Sequence, residues 1–158
     1  SGANAPTVSS SLYGVGNNCK GLFFIGSNSR TTYSTETTSA ITPGLPSTRY
    51  CIAAAGNACK GFFAGGSVPF PASVSTSTCK VTFSTEVIVA VPNASLSQGR
   101  QGLAAAGNAC KGFFSGGTPT PSPYSGAATA DRTTYSTETT AAVPGANICS
   151  VRYNLAGV

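Results

Sequence analysis

An internal threefold repeat is the feature that most constrains the fold of this chain. One string occurs in three copies, as GNNCKGLFFIGS at 16–27, GNACKGFFAGGS at 56–67 and GNACKGFFSGGT at 107–118. Two further blocks recur with it: RTTYSTETT at 30–38 is repeated at 132–140 and degenerately as KVTFSTEVI at 80–88, and STRYCIAAAG has more divergent copies. The arginines of the last block, Arg49, Arg100 and Arg152, lie 51 and 52 residues apart. A fixed period of this size is typical of solenoids and propellers, whose units bury their apolar faces against each other.

The repeats also predict the domain organisation. Residues 1–15 align without a gap to residues 144–158, so the chain begins with the tail of one repeat and ends with the tail of another. We therefore expect four segments: the tail end of a preceding repeat at 1–15, and three repeats at 16–56, 57–107 and 108–158. This pattern predicts a window on a repeating assembly that self-associates or joins other repeats of a longer parent chain.

Each period contains four segments with strand composition, bounded by turn residues. They are an Arg-Tyr-x-Leu-Ala-Ala-Ala segment (49–55, 100–106), a Lys-Gly-Phe-Phe segment, a threonine-rich segment around Tyr33, Phe83 and Tyr135, and a short Ala/Val/Ile segment (87–91, 139–143). Strong helix formers are scarce, and β-branched residues are common. The prediction is an all-β fold of three four-stranded antiparallel, blade-like repeats, with the Phe-Phe pairs buried between blades. Such blades form part of a β-propeller or of a longer repeat array.

The charges follow the repeat. Each copy carries a lysine in CKG, a base before the threonines, a glutamate and a later arginine, and Asp131 is the only charge left over. Each glutamate is predicted to pair with an arginine such as Arg49, Arg100 or Arg152. The CKG lysines have two interpretations: a rim that binds acidic glycans or phosphate, or edge residues that block strand pairing. These lysines are Lys20, Lys60 and Lys111. Because the positive charges are never clustered, a nucleic-acid groove is not expected.

Composition excludes most catalytic chemistry. The chain has no histidine, and so lacks an imidazole base, a His-ligated metal and a Ser-His-Asp relay. Its six cysteines contain no CxxC spacing, which argues against a zinc ribbon. No apolar run approaches the length of a membrane span. We predict that the chain is not an enzyme and has no catalytic residues, no metal, no cofactor and no membrane span.

Cysteine and tyrosine supply the remaining candidate sites. Cys51 and Cys59 flank the Gly56-Asn57 turn, and a disulfide or free thiols account for them equally well. Tyr50, Tyr124 and Tyr153 are candidates for stacking against sugars. Only Tyr124, in a proline-rich loop, is expected to be exposed.

The motif set G-N-x-C-K-G-F-F-x-G-G, T-T-Y-S-T-E and R-Y-x-L-A-A-A-G resembles kelch-type propeller repeats over essentially the whole chain. More closely, it resembles a Thr/Gly-rich subgroup found in tandem in large bacterial, especially cyanobacterial, proteins and in viral tail or fibre proteins. The chain lacks the tryptophan of the standard kelch repeat. The resemblance implies a ring, and three blades are fewer than the roughly four to eight that close one. Six blades from two copies, or more repeats of the parent chain, would complete it.

The sequence favours a non-enzymatic structural or adhesive repeat module, extracellular or virion-associated. Its variable loops, at 67–78 and 118–130, would bind a partner such as another structural protein or a glycan. The alternative is a glycan-binding propeller lectin. An enzyme built on the same repeats, like the kelch-bladed copper-radical oxidases, is not expected, because their copper site needs histidines.

Overall fold

Three four-stranded antiparallel sheets, each built mostly from one sequence repeat, form the fold. The structure is a computed structural model that describes residues 12–24, 28–42, 44–68, 73–120 and 125–157. In each sheet the strands are ordered as they follow in the chain, and every neighbouring pair is antiparallel. The predicted all-β fold of four-stranded antiparallel sheets is confirmed.

The strands of the first sheet are β1 (Tyr13–Gly16), β2 (Lys20–Phe24), β3 (Ser29–Thr32) and β4 (Thr37–Ala40). The second sheet consists of β5 (Ala53–Gly56), β6 (Lys60–Ala64), β9 (Thr78–Thr82) and β10 (Val87–Ala90), and its loop contains a two-stranded sheet of β7 (Ser67–Val68) and β8 (Ser73–Val74). The third sheet consists of β11 (Ala104–Gly107), β12 (Lys111–Ser115), β13 (Ala130–Thr134) and β14 (Thr139–Ala142).

Each sheet takes its first strand from the end of one predicted repeat and its other three strands from the next. β5 and β11 end at Gly56 and Gly107, where the predicted repeats end, and the Gly-Asn turn leads directly into the following strand. In that turn Asn57 Oδ1 accepts hydrogen bonds from the amides of Cys59 and Lys60. This local asparagine contact closes the hairpin, as the turn chemistry predicts.

The first strands of the second and third sheets begin later than predicted. β5 begins at Ala53 and β11 at Ala104, four residues after the arginines at which the predicted strands start. The residues two positions after each repeat arginine have positive φ, with Cys51 at 55°, Gly102 at 63° and Asn154 at 55°. A left-handed residue interrupts an extended strand, so the segment containing the arginine becomes a loop.

The threonine-rich strands also end earlier than predicted. β3, β9 and β13 stop before the aromatic residue, which opens a four-residue turn of the form Tyr/Phe-Ser-Thr-Glu. The glutamate closes the turn with positive φ, at 51° for Glu36, 57° for Glu86 and 55° for Glu138. The turn therefore fixes the backbone from which the glutamate side chain projects.

Successive sheets pack face to face through the Phe-Phe strands. Phe63 of the second sheet meets Phe24 of the first edge-on, with ring centroids 4.8 Å apart. On the other face of the same strand, Phe62 stacks on Tyr135 of the third sheet at 5.1 Å. Phe62 and Phe63 are both fully buried. Phe23 and Phe113, in the end sheets, are only half-buried. Burial on both faces therefore holds for the second sheet, which has a neighbour on each side.

After the last strand of the second and third sheets, a Val-Pro pair leads into a 3-10 turn, at Pro92–Ala94 and at Pro144–Ala146. The carbonyl of the fully buried Ala94 accepts a hydrogen bond from Thr140 Oγ1 at 2.8 Å, which ties this connection to the third sheet. Within the residues placed by the structure, no helix is long and apolar enough to cross a membrane.

A pair of glycines ends the second strand of the second and third sheets, as predicted. Gly65-Gly66 and Gly116-Gly117 all have φ between 71° and 97°. At Gly66 an added Cβ would lie 2.3 Å from Ile52 Cγ2 and 2.7 Å from the Tyr50 carbonyl oxygen. This position therefore requires glycine for both its backbone angle and its lack of a side chain.

We expect Gly66→Ala to lower the free energy of unfolding by at least about 1 to 3 kcal/mol, because the alanine would combine a strained φ with a close contact to the backbone. Gly145→Ala is the control, since nothing lies within 4 Å of a Cβ there. Its effect should stay within about 0.5 kcal/mol. Urea unfolding followed by circular dichroism measures both, and equal effects would contradict the prediction.

Candidate functional site

The main polar contact between neighbouring sheets joins one carboxylate to two cations. Glu86, in the second sheet, accepts hydrogen bonds from Lys20 Nζ at 2.7 Å and from Arg30 Nη1 at 3.0 Å, both in the first sheet. Lys20 also donates to the carbonyl oxygen of Phe83 at 3.1 Å. The cations lie on adjacent strands, and Arg30 is directly opposite Leu22, so they share the face that meets the next sheet.

The second and third sheets form the same contact from equivalent residues. Glu138 accepts hydrogen bonds from Lys60 and from Lys80 Nζ, the latter at 2.8 Å. The turn asparagines add a neutral hydrogen bond at each junction, since Asn17 Nδ2 donates to the Ala58 carbonyl at 3.0 Å and Asn57 Nδ2 to the Ala109 carbonyl at 3.1 Å. The contact between sheets is therefore a repeated unit of the structure.

For Glu86 and Glu138 the predicted pairing with Arg49, Arg100 or Arg152 is wrong. Their partners are the CKG lysine and the base before the threonines of the preceding repeat. The reason is geometric. These cations lie on the face of one sheet that meets the glutamate turn of the next sheet, whereas the later arginine lies in a loop that ends at a left-handed residue. Charge alone does not distinguish the two sets of cations.

The cations hold the two glutamates in the ionised form. Burial alone would raise the pKa of Glu86, but the hydrogen bonds and charges of Lys20 and Arg30 outweigh it, and the pKa is lowered. Hydrogen bonds from Lys60 and Lys80 lower the pKa of Glu138 in the same way, against a smaller effect of burial. Both contacts are therefore strongest above the ordinary carboxyl pKa.

The later arginine has a different role in the first two repeats. Arg49 is 3% exposed, and its Nη1 donates to the carbonyl oxygens of Gly65 at 2.7 Å and Ser77 at 2.6 Å. Its Nη2 donates to the sulfur of Cys79 at 3.2 Å. Arg49 therefore ties the loop after the first sheet to both ends of the variable loop of the second.

Arg100 forms the equivalent contacts in the third sheet. It is fully buried and donates to the carbonyl oxygens of Gly116 at 2.9 Å and Thr129 at 2.6 Å. Asp131 stands at the repeat position of Cys79, the partner of Arg49. It forms a short ion pair with Arg100 and is also fully buried. The one charge outside the repeat pattern thus neutralises a buried arginine.

The local donors differ between these two positions. Asp131 also accepts from the amide of Ser97 at 3.2 Å. The residue equivalent to Ser97 in the first copy is Pro46, which has no amide hydrogen to donate. Burial raises the pKa of the Cys79 thiol, against the charge and hydrogen bond of Arg49, so this partner is neutral.

We expect Asp131→Asn to destabilise the fold by about 3 to 5 kcal/mol, because it leaves the Arg100 charge buried without a counterion. Cys79→Ser is the matched control at the equivalent position, where the first repeat has Ser29. It should cost about 1 kcal/mol or less. Chemical unfolding of the three chains measures this, and a small loss for Asp131→Asn would contradict the interpretation.

The first strands of the three sheets and residues 155–157 meet at a cavity of about 230 Å³. Four copies of one repeat position line it, at 12–14, 52–54, 103–105 and 155–157. The small side chains there allow close approach, and a Cβ on Gly157 would meet the backbone of Ala105. Apart from the Tyr13 hydroxyl, the described lining offers no ionisable side chain.

The predicted contact residues fall in different places. Lys20 and Lys60 bind the carboxylate of the next sheet, while Lys111 is exposed and has no ion-pair partner in the described ranges. Tyr124 lies outside the described residues. Tyr50 and Tyr153, expected to be covered, are 41% and 48% exposed, because the loop that contains them lies at the surface. Binding of a glycan by any of these residues stays a prediction.

The structure does not bring Cys51 and Cys59 together. Cys51 precedes β5 and Cys59 lies in the turn after it, so the whole strand separates them. All six cysteines are free thiols, and Cys79 alone is buried. Across the described ranges, no group of three or more His, Cys, Asp or Glu side chains is placed to hold a metal ion.

Comparison with protein-family models and with curated proteins gives no relative from which a function could be transferred. No protein-family model matches the chain, and no curated protein matches it. The resemblance to kelch-type repeats therefore stays a hypothesis.

We expect Glu86→Gln to destabilise the fold by about 1 to 2 kcal/mol at pH 7, because it removes charge-assisted hydrogen bonds from Lys20 and Arg30. Glu36→Gln changes the equivalent residue of the first repeat, which is exposed, and should have almost no effect at low protein concentration. The two variants share turn type and sequence context, so their difference isolates the contact between sheets.

The same pair of variants tests the pH dependence. Since the folded pKa of Glu86 lies below the ordinary value of 4.5, its stabilisation is complete above pH 4.5 and is lost as the pH falls through the folded pKa. Thermal unfolding from pH 7 to pH 3 should therefore show the wild-type and Glu86→Gln curves converging in acid. A constant gap would contradict the assignment.

Proposed function

We propose that the chain is a non-enzymatic structural β-repeat module, exported or virion-associated, that presents variable loops to a partner. The contrast between constant contacts and changing loops carries the proposal. The contact between sheets is built twice from equivalent residues. The connection from the second glycine position to the base contains three, thirteen and fourteen residues, at 27–29, 67–79 and 118–131. Loops that vary on a constant scaffold are typical of binding surfaces.

A propeller is the geometry we propose for this module. Its support is the packing of three four-stranded sheets face to face, with equivalent inner segments lining one cavity, as blades do around an axis. The resemblance of the repeats to kelch-type blades favours the same geometry. Since a ring needs roughly four to eight blades, the proposal includes further sheets from a second copy or from a longer parent chain, with six blades from two copies.

A glycan-binding lectin is the second candidate. Tyr50 and Tyr153 stand at the same repeat position and are both exposed, which gives two aromatic platforms at equivalent places. The third copy of this position, Gln101, is buried and not aromatic. The lectin hypothesis predicts saturable binding on a glycan array that is lost in Tyr50→Ala/Tyr153→Ala, whereas the structural module predicts no such binding.

Exchanging the two long loops tests the structural proposal. In a chain where residues 67–76 and 118–128 are exchanged, we expect an unchanged far-UV circular dichroism spectrum and a melting temperature within about 4 °C of wild type. The exchange keeps the carbonyls of Ser77 and Thr129 that Arg49 and Arg100 bind. A chain that loses its sheets on exchange would show that the loops belong to the scaffold and would overturn the proposal.

A further inference from the structure

The third sheet presents one half of the contact that joins neighbouring sheets. We define the forward face of a sheet as the face that meets the next sheet in the chain, and the back face as the opposite face. Lys111, Phe113 and Arg132 occupy the forward-face positions of Lys60, Phe62 and Lys80, and Phe113 is directly opposite Arg132 in the β12–β13 register. In the described ranges neither Lys111 nor Arg132 has an ion-pair partner.

The first sheet presents the other half on its back face. Tyr33 is 47% exposed, while the equivalent Phe83 and Tyr135 are each 2% exposed beneath the preceding sheet. Glu36 is also exposed, and its φ of 51° matches the 57° and 55° of the two bound glutamates. The carboxylate is therefore held on the backbone conformation that the bound copies use.

The two end faces are complementary to each other. Two cations would meet one carboxylate, in the ratio found at both internal junctions. Phe113 and Tyr33 would repeat the Phe62–Tyr135 stack with the same residue types. Asn108 stands where Asn17 and Asn57 donate to the next turn, and the Asn18 carbonyl stands where the carbonyls of Ala58 and Ala109 accept.

We propose that the forward face of the third sheet binds the back face of the first sheet of a second copy of this chain, head to tail, with Lys111 and Arg132 on the partner's Glu36. This inference rests on the proposed structural function and names the partner of that module. The contact is heterologous, so each copy uses one face of each kind, and association closes a ring or extends a filament. Aromatic burial supplies most of the attraction, and the charges set orientation and register.

Sedimentation of the purified 15.7 kDa chain over a range of concentrations tests the contact. Wild type should form species at multiples of the chain mass, and more weakly at high salt. Glu36→Lys, and separately Lys111→Glu/Arg132→Glu, should each sediment as single chains, because each then opposes like charges at every head-to-tail contact. At a protein concentration at which wild type is also a single chain, both should keep its melting profile, since none of these residues has an ion pair within the described chain.

An equimolar mixture of the two variants should associate again, because each contact between unlike copies then joins opposite charges. Val87→Lys is the control: it adds a lysine at a 53% exposed position on β10 and should leave association unchanged. A wild-type chain that stays single at all concentrations, variants that still associate, or a mixture that does not recover would each overturn the proposal. The structural function is judged separately, by the folding of the loop-exchanged chain.

Discussion

The rest of this structure depends on one contact between neighbouring sheets. In this contact two cations of one sheet bind one carboxylate of the next, beside packed aromatic rings. The second sheet buries Phe62 on one face and Phe63 on the other, so it needs a neighbour on each side. Burial of these rings supplies most of the stability, whereas a partly exposed ion pair contributes about 1 kcal/mol or less. The charges act mainly on register, because a displaced sheet would separate the glutamate from both cations at once.

The buried arginines solve a second problem, which the glycine pairs create. A turn at positive φ leaves the carbonyls of Gly65 and Gly116 inside the protein, where an unpaired polar group is costly. Arg49 and Arg100 supply the donors. Each arginine thereby fixes the start and the end of a variable loop from inside, and the loop between can differ in length without changing the ends. The same arginine contacts therefore keep the scaffold constant and allow the loops to differ in length.

Prediction from sequence succeeded where the controlling interactions are local. Gly-Asn turns, glycine pairs and β-branched segments act within one hairpin, and they predicted the four-stranded antiparallel sheets. The repeat pattern did not identify the partners of Glu86, because Arg30 and Arg49 carry the same charge and only the twist and stacking of sheets choose between them. Exposure of Tyr50 was missed because a left-handed Cys51 has no signature in the sequence. Asp131, the one charge outside the pattern, was the available signal for the buried pair with Arg100.

The offset between sequence repeat and sheet has a consequence for how such a chain can grow. Because the strand that completes a sheet is encoded at the end of the preceding repeat, as in β5 and β11, duplication of one repeat leaves a first strand behind for its successor. Whole units can then be gained or lost between the repeated Gly-Asn turns without breaking a hairpin register. The covalent chain connects each sheet to the preceding one. A change of copy number therefore changes the size of the assembly and leaves every contact between sheets intact.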